Sequence, residues 1–303
     1  MYYIIYGLLY LVSLLPFFIL YGLSNFAYFI IYHILGYRKK VVFNNLDIAF
    51  PEKSAIEKKQ IARKFYKNLT DNFIETIKLL SMSEKEFSKR AETVNLDAVN
   101  LLASKGKNIQ LHSGHQMNWE YAHLVIAKNI HLRLVTVYMR ITNKALDRLF
   151  LKIRSHGNAL MVAAQDFKSQ GHEIFKNQYS LGLVGDQNPG APQSSFWLNF
   201  FNKPAPFVTG PDKSAVINNT AVVFVKMVKL KRGYYNFHCS IITEEASSFK
   251  KGELTLLYRD FLEAAIREQP DNYLWSHRRW KFEWEPKYEK KWIDKVDAPL
   301  NKA

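Results

Sequence analysis

Residues 112–120 read His-Ser-Gly-His-Gln-Met-Asn-Trp-Glu and bring two histidines and a glutamate into one short stretch. A carboxylate on one nitrogen of an imidazole fixes its tautomer. It also stabilises the imidazolium that forms when the other nitrogen takes a proton. The spacing therefore makes His115 and Glu120 candidates for a general base and its orienting carboxylate. The alternative is a polar capping turn that happens to hold a histidine.

The local elements decide whether the two side chains can meet. In one continuous helix, five residues advance about 500°, which leaves His115 and Glu120 about 140° apart. They can meet if Ser113-Gly114 is a loop after a strand at Asn108–Leu111 and a helix begins near Asn118, a good N-cap. Loops at strand ends are also where α/β folds place ligands. We therefore expect His115 in the loop, with Glu120 in the first helical turn pointing back at it.

The rest of the chain predicts the framework around this loop. Residues 54–80 have apolar side chains at helical spacing, and Ser83 predicts the N-cap of a further short helix. From residue 108 onward, short apolar runs alternate with helical stretches, which predicts an α/β fold with a mixed β-sheet covered by helices. Lys231-Arg232-Gly233 joins two β-rich runs as a predicted hairpin. Residues 281–303 are expected to be charged and poorly ordered.

The N-terminal segment carries the strongest compositional signal. Tyr2–Tyr37 contains no Asp, Glu, Lys or Arg, and about 20 apolar residues are enough to cross a bilayer. Pro16 divides the segment, so it predicts a kinked span, a re-entrant pair or a hydrophobic mat lying in the membrane plane; a buried hairpin of core helices is the alternative. Arg38-Lys39-Lys40 follows at once, which places the following domain in the cytoplasm under the positive-inside rule.

Composition narrows the classes of protein. With 42 Lys+Arg and 27 Asp+Glu the net charge is +15, which implies an acidic partner: nucleic acid, an anionic membrane or an acidic protein. The sequence lacks G-x-G-x-x-G, the P-loop pattern and G-x-S-x-G. Cys239 is the only cysteine, and H-E-x-x-H is absent, although His112, His115, Glu120 and His123 could be ligands. We expect no metal and no cofactor.

Several segments together resemble a known family. His115 and Glu120 are similar to the H-x4-D/E motif of the glycerolipid acyltransferase superfamily. The further segments resemble one branch of it, the late acyltransferases of lipid A biosynthesis (the lauroyl/myristoyl transferase family), and the resemblance runs from residue 1 to residue 285. These segments are Arg38–Pro51, Tyr138–Arg140 with Asn143, Leu146–Arg148, Arg154…Gly157, Gly185–Gly190 followed by Ser195…Phe201, and Pro270–Lys281.

The resemblance implies an acyltransferase-like fold and a membrane-bound enzyme that moves a fatty acyl chain from acyl carrier protein to a hydroxyl of a lipid. His115 would be the general base, aided by Glu120, and Arg154 the oxyanion donor. Asp186 would orient an arginine or Gln187. The sequence reads Arg154-Ser155-His156-Gly157 where the family has R-x-R-x-G, so Arg140 and Arg148 remain alternatives for the oxyanion donor. Substrate contacts are expected from Arg140, Arg148, Gln187, Arg278 and Arg279.

The resemblance also implies an organisation and a location. We expect a membrane anchor at 1–37, a catalytic domain at 38–285 and a charged tail at 286–303, on the cytoplasmic face of the bacterial inner membrane. The expected partners are acyl carrier protein, a lipid acceptor and the membrane, but no nucleic acid. One alternative is a related acyltransferase with a glycerophospholipid, aminolipid or pigment acceptor. Another is a non-enzymatic basic protein that binds a membrane surface or nucleic acid.

Overall fold

The strands confirm the predicted mixed α/β fold. The structure is a computed structural model that describes residues 2–155 and 157–299. His156, the side chain of Lys168 and residues 300–303 of the expected tail lie outside the described part. The strands are β1 (Ala91–Val94), β2 (Ile109–Ser113), β3 (Leu134–Tyr138), β4 (Ala159–Ala163), β5 (Ser180–Val184), β6 (Phe196–Phe200), β7 (Lys203–Phe207), β8 (Ala221–Lys231) and β9 (Tyr234–Thr243).

Seven of these strands form one sheet in the order β1-β9-β8-β2-β5-β3-β4. All neighbours in it are parallel except β8 and β9, which form the predicted antiparallel hairpin. The carboxyl ends of β2 and β5 are adjacent, because Ser113 is in register with Val184. Loops that follow these two strands must therefore meet. β6 and β7 form a separate antiparallel pair.

Helices cover both faces of the sheet, and the two predicted N-caps, Ser83 and Asn118, are confirmed. Ser54 and Glu57 form a reciprocal capping box, and Ser83 and Asn118 each accept a hydrogen bond from a backbone amide three residues on. A π-helical turn spans Ile30–Ile34. The α-helices are α1 (Tyr2–Leu14), α2 (Phe17–Phe29), α3 (Lys39–Ala49), α4 (Ala55–Lys78), α5 (Glu84–Ser88), α6 (Leu96–Ser104), α7 (Trp119–Asn129), α8 (Lys144–Arg154), α9 (Phe167–Ile174), α10 (Gly210–Ile217) and α11 (Glu253–Glu268).

The N-terminal helices lie against α4 and present an apolar outer face. Phe17–Ile34 is long and apolar enough to cross a membrane, by length and composition, and 17% of it is buried. On the inner side, Lys78 Nζ donates to the carbonyls of Ser13 and Leu15 at 2.8 and 3.0 Å. Ser24 Oγ donates to Asp71 Oδ1 at 2.6 Å. Helices α1 and α2 are therefore joined to the rest of the molecule by polar contacts as well as by apolar packing.

The C-terminal segment is more ordered than the sequence predicts. Residues Pro286–Lys291 form a 3-10 helix, and Tyr288 stacks on the buried Trp197 with ring centroids 4.7 Å apart. Ile293 N donates to Trp197 O at 2.9 Å. From its high charge this segment was expected to be poorly ordered. Aromatic stacking and burial nevertheless hold it against the rest of the protein.

A buried carboxylate connects α4 to the loop after β2. Glu75 is fully buried. It accepts hydrogen bonds from Asn118 Nδ2 and the Tyr235 hydroxyl, both at 2.9 Å. Burial, followed by the negative charge of Asp71, raises the pKa of Glu75 from the ordinary 4.5 to about 7. Because Asn118 caps α7, Glu75 fixes the point at which that helix begins.

Glu75 should make the stability of the protein depend on pH. Between pH 4.5 and 7 the folded state holds a proton on Glu75 that the unfolded state has lost, so the free energy of unfolding falls as the pH rises through this window. Glu75→Gln, which carries no charge, should flatten that fall by up to about 1.4 kcal/mol for each unit of pKa shift. Denaturant unfolding in mild detergent from pH 4.5 to 7.5 measures the slope. Equal slopes for the two proteins would contradict the raised pKa.

Candidate active site

His115 and Asp186 form the centre of the candidate site. His115 Nδ1 lies 2.6 Å from Asp186 Oδ1, and the His115 backbone N–H donates to Asp186 Oδ2 at 3.0 Å. Both oxygens of the carboxylate are thus used by one residue. The Asp186 side chain is 1% exposed, whereas that of His115 is 25% exposed. The histidine is held from the interior and remains open to a substrate from outside.

Two features of the fold bring these residues together. β2 and β5 are parallel neighbours, so the loops that carry His115 and Asp186 leave the same edge of the sheet. Gly114 allows the loop to pack closely against α11, since a Cβ there would lie 2.5 Å from Leu262 Cδ1, whereas its distance of 3.7 Å from Asp186 Oδ2 would be an ordinary contact. The other side of the loop pairs with the C-terminal segment, where Leu274 N donates to His115 O at 3.0 Å.

The electrostatics define the state of the imidazole. Burial alone would raise the pKa of Asp186, but the His115 imidazole and its two hydrogen bonds, with the Tyr273 hydroxyl, lower it to about 2. The carboxylate is therefore ionised and can only accept hydrogen bonds. Nδ1 of His115 must carry the hydrogen, which leaves Nε2 as the basic nitrogen. This arrangement can accept a proton at Nε2 and stabilise the resulting imidazolium.

Glu120 does not make the contact with His115 that its spacing suggested. The helix begins after Asn118 as predicted, but the Glu120 carboxylate turns towards α8. There it accepts from Arg154 Nε at 2.8 Å and also pairs with Arg154 Nη2. Trp119 contacts both residues: its ring centroid lies 5.9 Å from that of His115, and its Nε1 donates to Glu120 Oε1 at 3.1 Å. The expected His115–Glu120 contact is therefore wrong, and the expected role of Asp186 beside an arginine or Gln187 is corrected to a contact with His115.

Arg154 is held in a single arrangement at the end of α8. Glu120 is 2% exposed and the Arg154 side chain 19% exposed. Burial would lower the pKa of Arg154, but hydrogen bonds and charge from Glu120 raise it above its ordinary value. His123 Nε2 lies 2.7 Å from the Arg154 carbonyl oxygen. Because Nε and Nη2 face Glu120, Nη1 is the nitrogen left to face another group.

The five residues expected to contact substrate are spread over different surroundings. Arg279 is buried, donates from Nη2 to Pro206 O at 2.9 Å, and lies over the ring of Phe207. Its buried side chain is bound within the protein, which corrects the expected substrate contact. Arg278 is exposed. Arg140 forms an exposed ion pair with Asp166, and Arg148 lies over the ring of Tyr2. Gln187 is half-buried.

Sequence reasoning missed two residues beside His115 and Asp186. Tyr273 contributes to the low pKa of Asp186, and His277 is close enough to Asp186 and His115 for their charges to affect its own pKa. Both belong to the Pro270–Lys281 segment, which pairs with the loop after β2. His112 is buried, its Nε2 lies 2.9 Å from the Gln110 side-chain amide, and burial lowers its pKa to about 4.

A histidine held by a buried carboxylate in the loop after a central parallel strand is typical of enzymes that move protons in catalysis. Residues 1–282 match the family model described as bacterial lipid A biosynthesis acyltransferase, so the chain belongs to that family. The expected resemblance and the acyltransferase class are confirmed.

Curated relatives match along nearly the whole chain. The chain is 23% identical over 280 residues to a lipid A biosynthesis lauroyltransferase of Escherichia coli (strain K12). It is 21% identical over 276 residues to a lipid A biosynthesis palmitoleoyltransferase of the same strain and to a lipid A biosynthesis acyltransferase of Shigella flexneri. Each alignment covers 91% of this chain and 89% of the relative.

The Glu120–Arg154 pair should contribute strongly to stability. Arg154→Met leaves the Glu120 carboxylate buried without its partner, and we expect a loss of about 3 kcal/mol in the free energy of unfolding, the lower end for breaking a buried pair. Glu120→Gln combined with Arg154→Met removes both charges and should cost less than the sum of the single changes. Denaturant unfolding of the four proteins measures the coupling. Additive losses would mean that the pair contributes little.

Proposed function

We propose that this protein is a membrane-associated O-acyltransferase that moves a fatty acyl chain from acyl carrier protein to a hydroxyl of a lipid A precursor. The observation that carries the proposal is the contact between His115 Nδ1 and the ionised Asp186, which leaves Nε2 as a base at an open position. The names of the relatives support lipid A over the other acceptors. The +15 charge suits an acidic carrier protein and an anionic lipid.

The reaction follows from this arrangement. The acceptor hydroxyl attacks the thioester carbonyl as His115 Nε2 takes its proton, so that a C–O bond forms and the carbonyl oxygen becomes an oxyanion. The oxyanion collapses, the C–S bond breaks, and the proton on His115 passes to the departing thiolate. The products are an ester on the acceptor and a free thiol on the carrier. Asp186 is a positioning residue that stabilises the imidazolium between these steps.

Arg154 is proposed as the oxyanion donor. A donor of this kind is effective when it is fixed before the reaction, because no reorganisation is then needed as the charge develops. The two contacts with Glu120 fix the Arg154 guanidinium in this way. Glu120 would then act through Arg154, while Asp186 acts through His115. Each carboxylate of the site would have its own partner.

Membrane association is proposed to occur in the plane of the membrane surface. Asp71, which binds Ser24 of α2, also pairs with Arg232 Nε at 2.9 Å and with Arg232 Nη2 at 2.6 Å. If α2 crossed the bilayer with these contacts intact, the charges would lie at hydrocarbon depth, at a cost of about 3 kcal/mol or more each. A helix lying along the interface avoids this cost.

The outer face of the same helices supports this orientation. Leu8 and Leu11 on α1 are 61% and 64% exposed, and Phe18 and Phe26 on α2 are 77% and 64% exposed. Helices that bury one apolar face in the headgroup region have this division between faces. The basic residues 38–40 follow directly and suit the anionic cytoplasmic leaflet of the bacterial inner membrane.

Substitutions at the two carboxylates should separate their roles. His115→Ala should lower kcat by about 10²–10⁴-fold, the usual contribution of a general base. Asp186→Asn should approach this loss and alter the pH profile of kcat, whereas Glu120→Gln should cost less, because Glu120 does not touch the histidine. The measurement is acyl transfer from purified acyl carrier thioester to detergent-solubilised lipid A precursor.

A buried carboxylate elsewhere provides the matched control. Asp212 accepts hydrogen bonds from the backbone of Gly252 and Thr255 and makes no contact with His115 in the described structure. Asp212→Asn should leave the turnover of the folded protein near that of the wild type. If Glu120→Gln abolished transfer while Asp186→Asn did not, the proposed pairing of base and carboxylate would be overturned.

The orientation of α2 can be measured with a fluorophore on cysteine. Burial raises the pKa of the native Cys239 thiol to about 12, so Cys239 should label slowly. Phe18→Cys and Phe26→Cys place the label eight residues apart, about 12 Å along a helix. The depth of the fluorophore is measured with lipids that carry a quencher at a known depth. For a helix in the membrane plane, both positions should lie at the same shallow depth. A depth difference near 12 Å would show a spanning helix instead.

A further inference from the structure

A basic cavity lies beside the candidate catalytic pair. It has a volume of about 450 Å³ and opens to solvent. Its lining includes Arg38, His277, Arg278 and Lys281 together with the loop 188–190. None of the described residues that line it is acidic. The cavity therefore presents several nitrogen donors and no carboxylate to neutralise them.

The cavity is built from segments that already have fixed positions. Arg38 Nη1 donates to Ser276 O at 3.0 Å, and Asn45 Nδ2 donates to the carbonyls of Trp275 and His277 at 2.8 and 2.7 Å. Asn188 Nδ2 donates to Arg278 O at 2.5 Å. Three side chains, two from α3 and its N-cap and one from the loop after β5, thus hold the turn that carries His277 and Arg278. The backbone that carries these donors is fixed before any ligand arrives, which lowers the entropic cost of binding.

The same segments connect the cavity to the catalytic pair. Asn188 follows Asp186 by two residues, and Leu274, which binds the His115 carbonyl, precedes His277 by three. The segments that line the cavity therefore continue directly into those that hold the pair, and His277 is near enough to Asp186 and His115 for their charges to affect its pKa. The Nδ1 atom of His277 is buried and makes no hydrogen bond in the described structure. Burial, followed by the charge of Arg279, lowers the pKa of His277, which keeps the imidazole neutral.

We propose that the cavity of Arg38, His277, Arg278 and Lys281 binds a phosphate group of a substrate while the acyl chain is transferred at His115. Phosphate offers several acceptor oxygens and up to two negative charges, which suits an arginine fork and a lysine together better than one carboxylate does. The volume holds the phosphate with part of the molecule that bears it. The proposal rests on the proposed acyl transfer and adds the chemical class that the acceptor or donor must contain.

Two substrates of the proposed reaction could supply the phosphate. One is a phosphate monoester on the sugar of the acceptor lipid, and the other is the phosphodiester of the carrier protein's prosthetic arm. Arg38 follows the apolar N-terminal helices directly, which places the cavity near the level of the lipid headgroups and favours the acceptor. Kinetics with each substrate varied separately distinguish the two sources.

The test uses the full chain with two matched double variants. Arg278→Ala with Lys281→Ala removes two exposed cations from the cavity. Lys105→Ala with Arg133→Ala removes the same charges from exposed positions before β2 and β3, at the opposite edge of the sheet. Each protein is assayed with a phosphorylated acceptor and with the same acceptor after enzymatic removal of its phosphate.

We expect the cavity variant to raise KM for the phosphorylated acceptor by about 10- to 100-fold, the loss for charge-assisted hydrogen bonds to one anion. It should also lose the preference for the phosphorylated form that the wild type and the control variant retain. A rise in the donor KM alone would assign the phosphate to the carrier arm. Unchanged KM for both substrates, or equal rises in both double variants, would overturn the site.

A binding measurement separates this proposal from the proposed reaction. At constant ionic strength, inorganic phosphate should raise the unfolding temperature of the wild type and the control variant, but not that of the cavity variant. This readout requires no turnover. If the wild type transfers no acyl chain yet shows this pattern, the reaction is wrong and the phosphate site stands. If phosphate stabilises the cavity variant as much as the wild type, the site is wrong.

Discussion

The contact between the Asp186 carboxylate and His115 is the interaction on which the candidate site depends. A buried ionised carboxylate is costly unless hydrogen bonds compensate it, and here ring and backbone of one histidine supply two of them. Meeting both requires the loops after β2 and β5 to lie side by side, which the parallel pairing of these two strands provides. The orientation of the His115 imidazole thus depends on strand order and loop packing, as well as on the presence of His115 and Asp186 in the sequence.

The H-x4-E spacing illustrates how far a local pattern can be interpreted. The sequence predicted the loop at His115 and the helix start at Asn118, because capping preferences act over a few residues. It could not predict the direction of the Glu120 side chain, since that depends on where α8 packs against α7. Arg154, distant in sequence, offers Glu120 two charge-assisted hydrogen bonds. A tertiary contact therefore made Arg154, and not His115, a hydrogen-bond donor to Glu120.

The same division applies to the fold. The capping box at Ser54 and the β8–β9 hairpin were predictable because each arises from neighbouring residues. The strand order was not, because alternation of strands and helices does not state which parallel strands are neighbours. Once β5 is known to lie beside β2, the position of Asp186 at the end of β5 leads directly to His115. The aromatic packing of Tyr288 was not predicted either, because the segment is highly charged overall and only a few of its side chains are buried.

Hydropathy has a similar limit at the N-terminus. The mean hydropathy of Phe17–Ile34 is the same whether the helix is surrounded by lipid or has a single apolar face. These two cases would hold the protein at the membrane differently. The contacts from Ser24 to Asp71 and from Lys78 to the end of α1 require polar groups of α4 beside the apolar segment. A helix so joined would keep the domain at the membrane surface. An acceptor with its acyl chains in the leaflet and its hydroxyl in the headgroup region could then reach Nε2 of His115 without leaving the membrane.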